Sequence, residues 1–137
     1  MGIDGYNRLT IRGSKEILDI IEQSGLILDN VDDKCTKIGK RFFGKENIKI
    51  LDRIPTCLVV GYEFRNLPIY QYLEKMLTKY HTCWIKNTFS TENGYCGMWV
   101  GHYNGDKMYI QKLNWKEPSD EELYHMTDFS KLHNDIE

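Results

Sequence analysis

The chain has 137 residues, 18 basic and 20 acidic, and a formal net charge of −2. That length suits one domain, and 41% hydrophobic with 28% charged residues excludes wholesale disorder. So balanced a charge excludes a strong overall field for nucleic acid or membrane.

The stretch 6–12 reads as a strand, with Leu9 and Ile11 alternating against Arg8, Thr10 and Arg12. Gly13 turns the chain and Ser14 stands as an N-cap. Ile17, Leu18, Ile20 and Ile21 then form a short helical stripe that Gly25 closes. Residues 29–47 read as a long loop, in which Asp29, Asp32 and Asp33 balance Lys34, Lys37, Lys40 and Arg41. A short strand at 47–54 ends at Pro55, and a stronger one, rich in β-formers, follows at 57–64. Asn66 is placed to cap the next helix, with Pro68 in its first turn. Ile69, Leu73, Met76, Leu77 and Tyr80 make its apolar stripe.

Three strands are expected at 82–92, 95–103 and 107–113. Asn93-Gly94 is a two-residue type I′ signature. It would pair Phe89 with Met98 and Ile85 with His102. A three-residue Asn104-Gly105-Asp106 turn would pair Val100 with Ile110 and His102 with Met108. One face then carries Ile85, Phe89, Met98, Val100, Met108 and Ile110, and the other carries Trp84, Thr88, Tyr95, Trp99, Tyr103 and Gln111. A two-residue second turn would instead swap the faces of the last strand. Ser119 and Glu122 form a capping box for a C-terminal helix, and 131–137 is a polar tail expected to fray.

The order of elements gives an α+β chain: an antiparallel-rich sheet with two helices on one face, plus the C-terminal helix. Asn7-Arg8-Leu9-Thr10-Ile11-Arg12-Gly13 resembles the N-R-L-T-V-x-G opening of the YubB-type ferredoxin-like domain of plasmid and phage proteins. A second block is similar too. It runs from Tyr62-Glu63-Phe64 through Pro68, Leu73-Glu74-Lys75 and Tyr80 to Glu92-Asn93-Gly94-Tyr95-Cys96-Gly97 and Asn104-Gly105-Asp106. The family's W-G-x-K-W-like segment has Phe43-Gly44-Lys45-Glu46-Asn47 as its nearest counterpart here. The resemblance implies a ferredoxin-like fold and a viral or mobile-element setting; it implies no catalytic residues. The chain lacks alanine and holds 14 Ile, 13 Lys, 9 Asn and 9 Tyr, a bias that fits an AT-rich genome.

No P-loop, G-x-S-x-G, G-x-G-x-x-G or H-E-x-x-H occurs, so no enzyme is expected. Cys35, Cys57, Cys83 and Cys96 form no C-x-x-C pair, and His81-x-Cys83 offers half a metal site at most. No metal or cofactor is expected. His102 and Cys96 lie six residues apart on one strand, about 20 Å, too far for a base–nucleophile pair. The expected interaction surface is the aromatic sheet face of Trp84, Trp99, Tyr103 and Tyr95. Its first reading is a protein-interaction or structural module, with a protein partner or a second copy. The alternative is a single-stranded nucleic-acid module that stacks bases on those rings. The opening residues contain no secretory pattern and no apolar run nears the roughly 20 residues of a membrane span. A cytoplasmic protein, in the host cytoplasm or a virion if viral, with no membrane partner, is therefore expected.

Overall fold

The computed structural model describes residues 4–65 and 70–116. Nine elements follow one another: β1 (Asp4–Arg12), α1 (Lys15–Ser24), α2 (Asp33–Phe42), β2 (Ile48–Ile54), β3 (Cys57–Arg65), α3 (Tyr70–Lys79), β4 (Trp84–Thr91), β5 (Tyr95–Asn104) and β6 (Lys107–Lys116). The strands form one sheet in the order β2-β3-β1-β4-β5-β6, every neighbouring pair antiparallel. The fold is α+β.

Local chemistry sets the ends of α1. The Ser14 hydroxyl accepts the Ile17 N–H at 3.3 Å. Gly25 takes a left-handed φ of 64° as the C-cap, and the Leu26 N–H reaches back to the Ile21 carbonyl at 3.3 Å. Leu18 and Ile21 are buried, whereas Ile20 points outward and is 56% exposed.

The stretch expected to be a loop contains a helix. In α2 the Asp32 carboxylate accepts the Cys35 N–H at 2.8 Å, with Asp33 in the first turn and Lys40 and Arg41 in the last, matching the helix dipole. Its inner face is Cys35, Ile38, Gly39 and Phe42, at i, i+3, i+4 and i+7. That face is thin, which is why the charges around it dominate the sequence. Gly39 lets α2 approach α3: a Cβ there would sit 2.9 Å from the Tyr72 hydroxyl.

Tyr72 ties these pieces together. Its hydroxyl donates to the Leu26 carbonyl at 2.8 Å and accepts the Leu28 N–H at 3.1 Å, and its ring stacks on Phe43 at 4.7 Å. Burial pushes its pKa up to about 12.

Among the described residues three helices, not two, lie on one face of the sheet: α1 and α2 over β3, α3 over β4 and β5. Leu73, Met76 and Leu77 are buried, as the stripe predicts, and Tyr72 joins them. Each such side chain contributes roughly 1.5–3 kcal/mol of burial. Beneath the helices run Leu58 and Val60 of β3, Leu9 and Ile11 of β1 and Ile85 of β4. Among these apolar groups sits a polar chain. The Tyr62 hydroxyl donates to Asn87 Oδ1 at 2.7 Å, and Asn87 Nδ2 donates to Asn7 Oδ1 at 3.1 Å. All three residues are buried, and burial raises the Tyr62 pKa far above its ordinary value. The expected caps Asn66 and Pro68, with Ile69, lie outside the described residues, as do the C-terminal helix and its tail.

Both hairpin turns differ from expectation. The β4–β5 pairing is Ser90 to Cys96, Phe89 to Gly97 and Ile85 to Gly101. Glu92-Asn93-Gly94 is thus a three-residue loop, with positive φ at Gly94 (86°) and not at Asn93. The Gly94 N–H bonds the Thr91 carbonyl at 3.1 Å, and the Thr91 hydroxyl accepts the Tyr95 N–H at 3.0 Å. A type I turn closed by a left-handed glycine is therefore held by the threonine side chain, in place of the I′ turn. The second turn is shorter than expected. Asn104 pairs with Lys107, and Gly105 supplies the positive φ at the first of two loop positions.

Candidate interaction face

The two one-residue shifts cancel between β4 and β6 and invert β5 alone. Ile85, Phe89, Met108 and Ile110 still share a face, and Trp84, Thr88 and Gln111 still share the other. Met98 and Val100, however, exchange sides with Trp99, Tyr103 and Tyr95. The expected aromatic surface is therefore divided.

Trp99 is fully buried on the helix side, its ring 6.4 Å from Tyr70. It lies between Gly97 and Gly101, its neighbours on that face. A Cβ on Gly101 would meet the indole at 2.5 Å and Leu77 at 2.9 Å; one on Gly97 would meet the Phe89 ring. The available signal was Gly101, two residues after Trp99, which leaves room on that face for one large ring, while Gly97 leaves room for Phe89. Tyr103 packs partly buried on the same face, edge-on to His81 at 6.4 Å. Tyr95 is exposed at the hairpin end with Lys116 over its ring at 5.6 Å. Of the four expected residues, only Trp84 belongs to the face away from the helices.

That face is a four-by-four grid across β1, β4, β5 and β6, read directly from the strand pairing. The first row is Arg12, Trp84, His102 and Tyr109. The second is Thr10, Lys86, Val100 and Gln111. The third is Arg8, Thr88, Met98 and Leu113, and the fourth is Tyr6, Ser90, Cys96 and Trp115. No described helix packs against it. The first row is pre-stacked. Arg12 lies 5.8 Å from the Trp84 ring, and His102 and Tyr109 stack at 5.8 Å with 18° between their planes. An open groove of about 790 Å³ runs here, lined by Trp84, Lys86, Met98, Val100, His102 and Tyr109 among others. Tyr109 is 43% exposed and Trp115 46%.

Charge is segregated on this surface. The grid holds Arg8, Arg12 and Lys86 and no carboxylate. Glu63 and Asp52 face the same way only from β3 and β2. Sequence reasoning missed Met98, Val100, His102, Tyr109, Leu113 and Trp115 as members of this face. Met98, Val100 and His102 changed sides with β5, Tyr109 shares the face of Gln111 under either register and was overlooked, and the last two lie at the end of β6 or past its expected limit.

Among the described residues no three His, Cys, Asp or Glu side chains gather as a metal site. His102 and Glu63 lie at opposite corners of the surface, on the order of 25 Å apart by strand geometry. All four cysteines are buried, and burial pushes the Cys35 and Cys83 thiols up. Among the described residues no helix is long and apolar enough to cross a membrane. Comparison with protein-family models, with curated proteins and with solved structures finds no match.

Proposed function

We propose that this protein is a non-catalytic binding module that holds a macromolecular partner on the bare face of its sheet. The observation that supports this reading is the grid itself: four adjacent strands presenting Trp, Tyr, Met and Arg side chains that no described helix covers. These residue types are the ones enriched where proteins bind, and apolar surface of this extent on a sheet usually serves a partner.

The scaffold reading is a ferredoxin-like framework of the YubB type, widened by one hairpin. Its support is the order β2-β3-β1-β4 within the sheet, in which β1-α-β2 and β3-α3-β4 each straddle one intervening strand. The strand–turn stretch from Asn7 to Gly13 agrees, because Asn7, Leu9 and Ile11 fill the core while Arg8, Thr10 and Arg12 reach the open face. On this reading β5 and β6 are additions that enlarge the binding face.

The test uses the full chain as bait in a native extract beside a Trp84→Ala/Tyr109→Ala variant whose fold is checked by circular dichroism. The reading expects a co-purifying macromolecule held by the wild type and lost by the variant. Equal recovery with both baits would refute it.

A further inference from the structure

We infer that the occupant of the open face is single-stranded nucleic acid, an inference that rests on the binding-module reading above. Charge complementarity carries it. The protein's net charge is −2, yet the grid holds three cations and no anion. Arg12 and Arg8 lie on β1, the border strand of the grid beside β3 and its Glu63, and Lys86 lies next to them on β4. Arg12, Lys86 and Arg8 zigzag down the adjacent strands β1 and β4, each about 8 Å from the next by strand geometry. A protein partner would have to bring a row of carboxylates to meet them, and Asp and Glu are depleted in protein interfaces. A phosphate backbone brings its charges in a line.

Ring placement supplies the second half of the argument. Trp84 and the His102–Tyr109 stack lie beside the cations at one end, on their β5–β6 side. Phosphates laid along β1 and β4 would therefore let bases turn sideways onto the half-buried Trp84 ring and the exposed Tyr109 ring. Duplex nucleic acid hides its base faces and cannot use them; a single strand can. Thr10, Thr88 and Gln111 add polar groups without adding negative charge.

The test is fluorescence anisotropy of labelled 12-nucleotide oligo-uridine and oligo-thymidine, with a duplex of equal length as the third arm. Single strands should bind, with log affinity falling against log salt at a slope of about −2 for three phosphate contacts. Arg12→Gln and Arg8→Gln should each flatten that slope by about 0.7. Trp84→Ala should weaken binding about 5- to 150-fold, the loss of one stacked base. Tyr109→Ala serves in its place if Trp84→Ala fails to fold. Lys34→Gln/Lys37→Gln, on exposed α2 positions, should change nothing. The inference is overturned by absence of binding up to about 100 μM, by a duplex bound as tightly as single strands, or by affinities indifferent to Trp84 and Arg12. If oligonucleotides fail while the face variants still lose a co-purifying protein, the occupant is wrong and the module reading stands. If the face variants lose nothing, both fall.

Discussion

Replacing Trp99 by alanine tests the strand register on which the proposed binding face depends. The indole is 0% exposed, lies against Gly101, and packs with Tyr70 and Leu77 of α3. Removing so large a buried side chain costs about 3–5 kcal/mol, because its burial is lost and a cavity remains. For a domain of this length that lowers the melting temperature by about 10–20 °C. Trp84 sits opposite in every respect. It is half-buried, on the face away from the described helices, with Arg12 at 5.8 Å. Trp84→Ala should cost about 1 kcal/mol or less. Urea and thermal melts of both variants, followed by far-ultraviolet circular dichroism, measure the contrast. A type I′ turn at Asn93-Gly94 would put both tryptophans on one face and make their costs similar. Similar costs, or a Trp99→Ala loss below about 1 kcal/mol, would therefore refute the register and dissolve the grid.

Tyr62→Phe should destabilise by about 1–3 kcal/mol in urea melts, because Asn87 Oδ1 loses its donor where no water reaches it; a neutral result would mean the buried polar chain is not formed. Gly101→Ala should lower the melting temperature although alanine suits strands better, since its Cβ meets Trp99 at 2.5 Å and Leu77 at 2.9 Å; a stabilised variant would contradict the packing beneath α3. Alkaline pH should unfold the chain. The Tyr72 pKa is raised from 10.0 to about 12 in the fold, so the stability it contributes is whole below pH 10 and is lost as pH rises from about 10 to 12. Absorbance at 295 nm should show Tyr62 and Tyr72 ionising only with loss of structure, and reversible ionisation of all nine tyrosines near pH 10 in a folded chain would contradict this.

Much of the scaffold was legible because local chemistry suffices for it. Alternation marks β1, the Ser14 and Gly25 caps bound α1, and the Leu73-Met76-Leu77 stripe marks α3; each signal lies within a dozen residues and needs no distant partner. The helix α2 was not legible. Half its thin face is Cys35 and Gly39, residues that look indifferent until Tyr72, from α3, closes over them.

The site divides the same way. The sequence by itself determined that β4, β5 and β6 are strands and that rings alternate with smaller residues along them, since a strand's side-chain period is a property of its backbone. It could not determine which half of β5 faces inward. That choice depends on how many residues each turn leaves unpaired, and one residue inverts a strand. The number goes with contacts outside the Asn-Gly dipeptide: the Thr91 hydroxyl takes the Tyr95 N–H, and Trp99 lies beneath α3 with Gly101 making room for it. Only the packed molecule turns the same ten residues so that Trp99 becomes core while Met98, Val100 and His102 join Arg12, Trp84 and Tyr109 on the face away from the described helices.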